Sequence, residues 1–319
     1  MKWADFRKQF PASVSYNEVP MEYRADDCNE QLDLAACWAR EKMIVTHKKA
    51  YAEHQTSNDV CACFNQGIRA FKGLVNYASA YRRYIREVID NMVLDKVMYA
   101  ELRPMLMDKS RPTDEGVSKL GHNEQMKIVC EGTEKKKQQY GDRFPFGLKI
   151  IYCTPRSIPP AKMKSELEHG IKLKQAYPDV VCGFDLVGAE DRPNHIGHYA
   201  DLLLAFTKTC ERFNISIPFM LHAGETLLDT GGFMPLESEA QAGFHNPDNS
   251  NLYDSLLLDA RHIDHGYALL EHPQLVKKYV DAKICLELCP ISNELLGVCG
   301  NARQHIFPDP ALYRGPGCD

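Results

Sequence analysis

His222 and Glu225 stand three positions apart in the run LHAGET, with Ala223 and Gly224 between them. A neutral imidazole is a good ligand for zinc. A carboxyl just past an Ala-Gly turn can reach back over the same pocket and give or take a proton there. His265, in HIDHGYAL, adds a second imidazole that could hold or deprotonate a water. Further polar or ionisable groups lie at Asp185 and Glu190 in GFDLVGAE, at Arg103, and at Glu287, Cys289, Ser292 and Asn293 around LCPISN. A lone histidine beside a strand is more often a hydrogen-bonded core residue. Two of them with Glu225, on consecutive segments, point to a site.

Each of these groups follows a short apolar run, and the runs predict strands at 97–102, 148–153, 180–186, 218–222, 261–265 and 283–288. Between them, 161–177, 199–213, 252–258 and 273–280 read as helices. Alternation of nearly unbroken apolar strands with helices predicts an α/β fold with a parallel, doubly covered sheet. Polar residues gathered at successive strand ends fit the active face of a TIM-type barrel. No G-x-G-x-x-G follows the first strand, which disfavours a dinucleotide fold. Upstream, Ile68, Phe71, Leu74, Val75, Ala78, Tyr81, Ile85, Val88, Ile89 and Met92 predict one long amphipathic helix, with Arg82, Arg83 and Arg86 on its solvated side. Leu32–Met43 predicts a short helix. The segment 107–146 reads as an insertion whose Lys135, Lys136 and Lys137 form a solvated helix end. Residues 227–251, rich in Gly, Asn and Asp, read as a long functional loop.

The chain has 319 residues, a formal charge of −5, 44% hydrophobic and 25% charged residues. This balance suits a globular protein and gives no electrostatic case for a nucleic-acid partner. No apolar run reaches the roughly 18 residues of a membrane helix. The start shows no secretory leader, so the default location is cytoplasmic, and secretion would require a segment ahead of Met1. The 12 cysteines lack C-x-x-C spacing and read mostly as reduced, buried apolar residues. Absence of P-C-x-x-C argues against a cytidine-deaminase site.

GFDLVGAE at 183–190, LHAGET at 221–226, HIDHGYAL at 262–269 and LCPISNELL at 288–296 together resemble the adenosine deaminase family. YAELR at 99–103 and GLKIIYCTPRS at 147–157 favour its growth-factor branch, the type related to adenosine deaminase 2. The likeness runs over about 61–300. It implies a (β/α)8 barrel with one Zn2+ per subunit that hydrolyses adenosine or 2′-deoxyadenosine to inosine and ammonia. It assigns metal ligation to His222, protonation of the purine ring to Glu225, water activation to His265 and purine contact to Gly188. Asp185 and Glu190 fall in the same substrate-binding stretch. The branch allows a homodimer, and no membrane partner is implied.

Departures from the pattern shape a second expectation. The family's first barrel strand carries H-x-H, and its last carries a paired Asp; no H-x-H occurs here, and no Asp pair follows the run at 283–288. The expected fold is therefore one 1–319 domain with the first and last strands missing, an irregular 1–60 segment and an unpatterned 301–319 tail. The corresponding alternative function is a catalytically inactive fragment or pseudoenzyme. A lesser alternative is another purine deaminase acting on adenine or AMP. The family has a small residue where Asp264 stands, and an adjacent carboxylate would raise the basicity of His265 or compete for its hydrogen bonds. Phe64, near a Trp position of the branch, reads as helix core.

Overall fold

The computed structural model describes residues 3–9, 34–45, 56–107, 111–190, 194–226 and 250–305. It divides into two compact units, 1–76 with 295–297, and 77–294 with 298–319. In the first unit, helix α1 (Leu34–Met43) packs on α2 (Ser57–Val75). Gly67 permits this approach, since a Cβ there would lie 3.0 Å from the Met43 carbonyl oxygen. A reciprocal cap starts α2: Asp59 N–H donates to Thr56 Oγ1 (3.3 Å) and Thr56 N–H donates to Asp59 Oδ2 (3.1 Å). Phe64 on this helix is 52% exposed, so it is not a core residue of the unit.

The single long helix expected over 68–92 is two helices. Asn76 leaves helical geometry (φ −86°, ψ 46°) and Tyr77 is extended, so α2 stops and α3 (Ala78–Leu94) begins anew. The apolar period survives within α3, where Ala78, Tyr81, Ile85, Ile89 and Val93 are buried. Arg82, Arg83 and Arg86 are exposed, as their position on the other side requires.

Six parallel strands follow in chain order: β1 (Tyr99–Leu102), β2 (Gly147–Pro155), β3 (Val181–Val187), β4 (Met220–Ala223), β5 (His262–His265) and β6 (Cys285–Glu287). All six fall on the apolar runs read from the sequence, with β2, β3 and β4 extending past the ends of theirs. They form two ladders, β1–β2–β3 and β4–β5–β6. Between the ladders stands one bridge, Phe184 opposite Phe219, with Phe184 N–H donating to Pro218 O (3.0 Å). Helices α4 (His122–Tyr140), α5 (Pro160–Ala176), α6 (Ala200–Arg212), α7 (Ser250–Leu257), α8 (Pro273–Ala282) and α9 (Pro290–Leu295) alternate with the strands. Pro160 and Pro273 sit in the first turns of α5 and α8, where a missing N–H costs nothing. Ile150, Tyr152, Phe184, Leu186 and Leu221 from the strands meet Met163, Leu203 and Phe206 from the helices in one core.

The 107–146 insertion holds a small antiparallel hairpin (Arg111–Pro112 with Lys119–Leu120) and then α4. Its lysine run is not a solvated end throughout. Lys136 is 7% exposed, its ammonium pairing with Asp90 of α3. The tail is also tied in at its start: Ala302–Gln304 form one 3-10 turn and His305 is buried against Tyr267. Residues 227–249 and 306–319 lie outside the described set, and so does most of the expected loop. No described helix is long and apolar enough to cross a membrane.

Candidate active site

Strand register brings the polar residues into one layer. His222 of β4 is level with Asp264 of β5, and Asp264 with Glu287 of β6. Residues level across a sheet point to the same face. Asp185 of β3 completes the row, because its carboxylate accepts from His222 N–H (Oδ1, 3.0 Å) and lies 2.7 Å from His222 Nδ1 (Oδ2). This pairing places the Nδ1 proton toward Asp185 and leaves Nε2 as the nitrogen that could meet a metal on giving up its proton.

Arg103, one residue past β1, ties the layer together. Its Nε is 2.7 Å from Asp185 Oδ2, and its Nη2 is 3.0 Å from Asp264 Oδ2 and 2.9 Å from Glu287 Oε2. Glu287 also takes a contact from His262 Nδ1 at 3.1 Å. Burial works against the Glu287 carboxylate, yet His262, Asp264 and Arg103 hold its pKa down to about 2. Burial lifts Asp264 to about 7, His222 and Arg103 only partly offsetting it. Burial opposes a charge on His222, but Asp185 and Asp264 outweigh it and raise its pKa to about 9.

Strand alternation alone would send His265 to the face opposite Asp264. It does not, because His265 adopts a left-handed backbone (φ 69°) that few non-glycine residues take. Its ring lies 5.6 Å from that of His222, centroid to centroid. His265 Nδ1 is 2.7 Å from Asn293 Oδ1, and Asn293 Nδ2 donates to His305 Nε2 (2.9 Å). The other nitrogen, Nε2, is 3.4 Å from Glu225 Oε1. Asp264, the sequence neighbour, turns to His222 Nε2 (3.3 Å) and Arg103. No contact of Asp264 with the His265 ring is present among these pairings.

Glu225 is held by its backbone. Glu190 is buried and accepts from Gly224 N–H (2.9 Å), Glu225 N–H (2.9 Å) and Asn251 Nδ2 (3.2 Å). Its carboxylate thus pins the turn after β4. Burial pushes the Glu225 carboxyl above the usual range, with Glu190 adding to the shift and His265 opposing it. Gly188 is exposed just beyond β3 with φ 111°, a conformation that side chains rarely allow. Arg156, buried at the end of β2, donates from Nη2 to Leu186 O (3.1 Å) and His222 O (3.0 Å).

His222, Glu225, His265, Asp185 and Glu190 therefore come together. Arg156, His262 and His305 join them without a sequence signal beyond their residue types. A metal has a partial donor set here. Two ligands on tetrahedral zinc stand roughly 3.3 Å apart, which is the separation of His222 Nε2 from Asp264 Oδ2. The remaining member of the cluster, Asp185, is committed to Nδ1 of the same ring and to Arg103. The described donors thus fall short of the about three ligands of a catalytic zinc site.

The family model described as adenosine deaminase matches residues 41–230. The chain belongs to the adenosine deaminase family. It is 33% identical over 236 residues to an adenosine deaminase of Lutzomyia longipalpis, covering 73% of this chain and 40% of that one. To adenosine deaminase 2 of Sus scrofa it is 31% identical over 238 residues, 74% of this chain and 42% of that one. To the human adenosine deaminase 2 it is 29% identical over 265 residues, 82% and 46%. The chain thus spans less than half the length of these relatives. In fold it is similar to the arabidopsis ADAL complexed with IMP (TM-score 0.56, 18% identity, 84% of this chain and 68% of that one). It is similar likewise to an adenine deaminase from Arthrobacter aurescens (0.56, 16%, 84% and 68%). The six strands and their helices are accordingly those of the family's TIM-type barrel.

Proposed function

We propose that the chain carries the purine-binding and proton-transfer part of a zinc-dependent hydrolytic deaminase acting on adenosine or 2′-deoxyadenosine. The observation that carries this reading is the convergence of His222, Glu225 and His265 from two adjacent strand ends, with ring centroids 5.6 Å apart. Glu225, whose carboxyl burial and Glu190 push above the usual range, suits donation to a purine ring nitrogen. His265, with Nδ1 held by Asn293, offers Nε2 as the base for a water. His222 is the imidazole ligand this part would give the metal, and Asp185 orients it. Gly188 leaves room for the purine at the backbone. Glu190 positions the Glu225 turn and does not need to touch substrate.

A second reading is favoured by the donor set itself: one imidazole nitrogen and one shared carboxylate hold metal weakly, so residues 1–319 alone would bind purine without turnover. Purified chain, supplied with Zn2+ and adenosine, separates the two. Inosine formation that Glu225→Gln lowers at least about 100-fold, at unchanged metal content, supports the enzyme. Adenosine binding without inosine supports the second reading. Failure to bind adenosine at all overturns both.

A further inference from the structure

His122, Glu166 and His169 form another cluster, on the helix-covered side of the sheet. Tyr152 and its register partner Phe184 face that side, one residue before Cys153 and Asp185, which face the other. Glu166 and His169 are three apart on α5 and share a face. His122 is the first residue of α4. One donor atom from each lies within 4.8 Å of the others. The two imidazole rings stack with centroids 4.2 Å apart and planes at 17°.

Glu166 is fully buried. Burial opposes its charge, but His122, Lys162 and Tyr152 beside it hold its pKa down to about 2. Tyr152 OH donates to Oε2 (2.5 Å), and Lys162 Nζ is 2.6 Å from Oε1. A structural role for Glu166 as acceptor for these two groups explains the carboxylate. It does not explain a second imidazole laid against His122 with its Nδ1 buried and without a hydrogen-bond partner. An unpaired buried ring nitrogen is costly, and a cation beside it removes the cost.

We infer that His122, Glu166 and His169 bind a divalent transition-metal ion of the zinc type. Two imidazoles and a carboxylate are a donor set that suits such ions. Lys162, 40% exposed, is free to swing into water when the ion takes over the charge of Glu166. The inference is independent of the deaminase reading, because its residues lie on the opposite face of the sheet from Asp185.

Metal-stripped full chain, titrated with Co2+ followed by visible absorption and with Zn2+ by competition against a chromophoric chelator, tests it. His222→Ala should keep one bound equivalent. His169→Ala, and the milder His169→Asn, should weaken that equivalent at least tenfold. Lys162→Met should tighten it, since the competing ammonium is gone; a purely structural network predicts no such gain. Urea midpoints confirm that each variant is folded. The inference is overturned if the bound equivalent is lost with His222→Ala and unmoved by His169→Asn, or if the wild-type chain takes up no metal at 100-fold excess over chelator.

Discussion

At Arg103 one guanidinium meets Asp185, Asp264 and Glu287 within 3.0 Å. A planar fork with several donors can serve three carboxylates at once, which a point-charge ammonium cannot. Removing it leaves buried acids without a counter-charge. Arg103→Met should cost about 3–5 kcal/mol of unfolding free energy, read from urea denaturation, and Arg103→Lys should recover only part. A loss under about 1 kcal/mol would show that water already solvates this layer. The residue was visible in the sequence as the end of a strand. Its role was not, because each partner comes from a different strand and the pairings exist only once the register is set. Lys136 was misread for a related reason: its partner Asp90 lies 46 residues away on another helix, and a run of lysines in isolation has every mark of a wet surface.

The turns after β4 and β5 do what the strands alone cannot. Gly224 (φ 75°) and Gly266 (φ 59°) are left-handed, and a Cβ on Gly224 would stand 3.2 Å from the Cα of Gly266. Gly266 N–H donates to Ala223 O (2.9 Å) and Ala268 N–H to Gly224 O (3.1 Å), so the two turns are locked together. Gly224→Ala therefore meets both a disfavoured φ and a backbone neighbour. It should lower stability by about 1–3 kcal/mol in thermal or urea unfolding and displace Glu225 from His265, lowering any Glu225-dependent activity further than stability alone predicts. A fully stable, fully active variant would contradict the locked-turn account. Apolar runs ending in polar residues made all six strands legible, and the HAGE and HG spacings pointed to His222, Glu225 and His265, the trio proposed for proton transfer and metal ligation. The break between α2 and α3 was hidden because the apolar period stays in phase across Asn76 and Tyr77. The left-handed turn at His265 left no trace in residue type.

Across the whole molecule the buried charges set how stability responds to pH. Asp264 keeps its proton to about 7 in the folded chain but only to about 4 when unfolded, so stability falls as pH rises between those values. His222 keeps its proton to about 9 when folded and about 6.5 when unfolded; its contribution is whole below 6.5 and is gone above 9. Glu287 and Glu166, held near 2, act in the opposite sense, but their contribution is lost only on acidification below about 4 and is constant above it. Metal-free chain should thus be less stable at pH 9 than at pH 5 by a few kcal/mol, and Asp264→Asn should flatten the portion between 5 and 7. Urea titrations at pH 5, 7 and 9 decide it; a flat or rising profile would mean that the layer is wetter than its burial implies. The same charges also do the work of missing ladder bonds. Between β3 and β4 the sheet has one backbone bridge, and the remaining stitches are side chains: Asp185 taking the His222 amide, and Arg156 spanning the Leu186 and His222 carbonyls. Asp185 is consequently a rivet as well as an orienting group. Any screen that scores its loss by activity alone will blame chemistry for what begins as two halves of a wall coming apart.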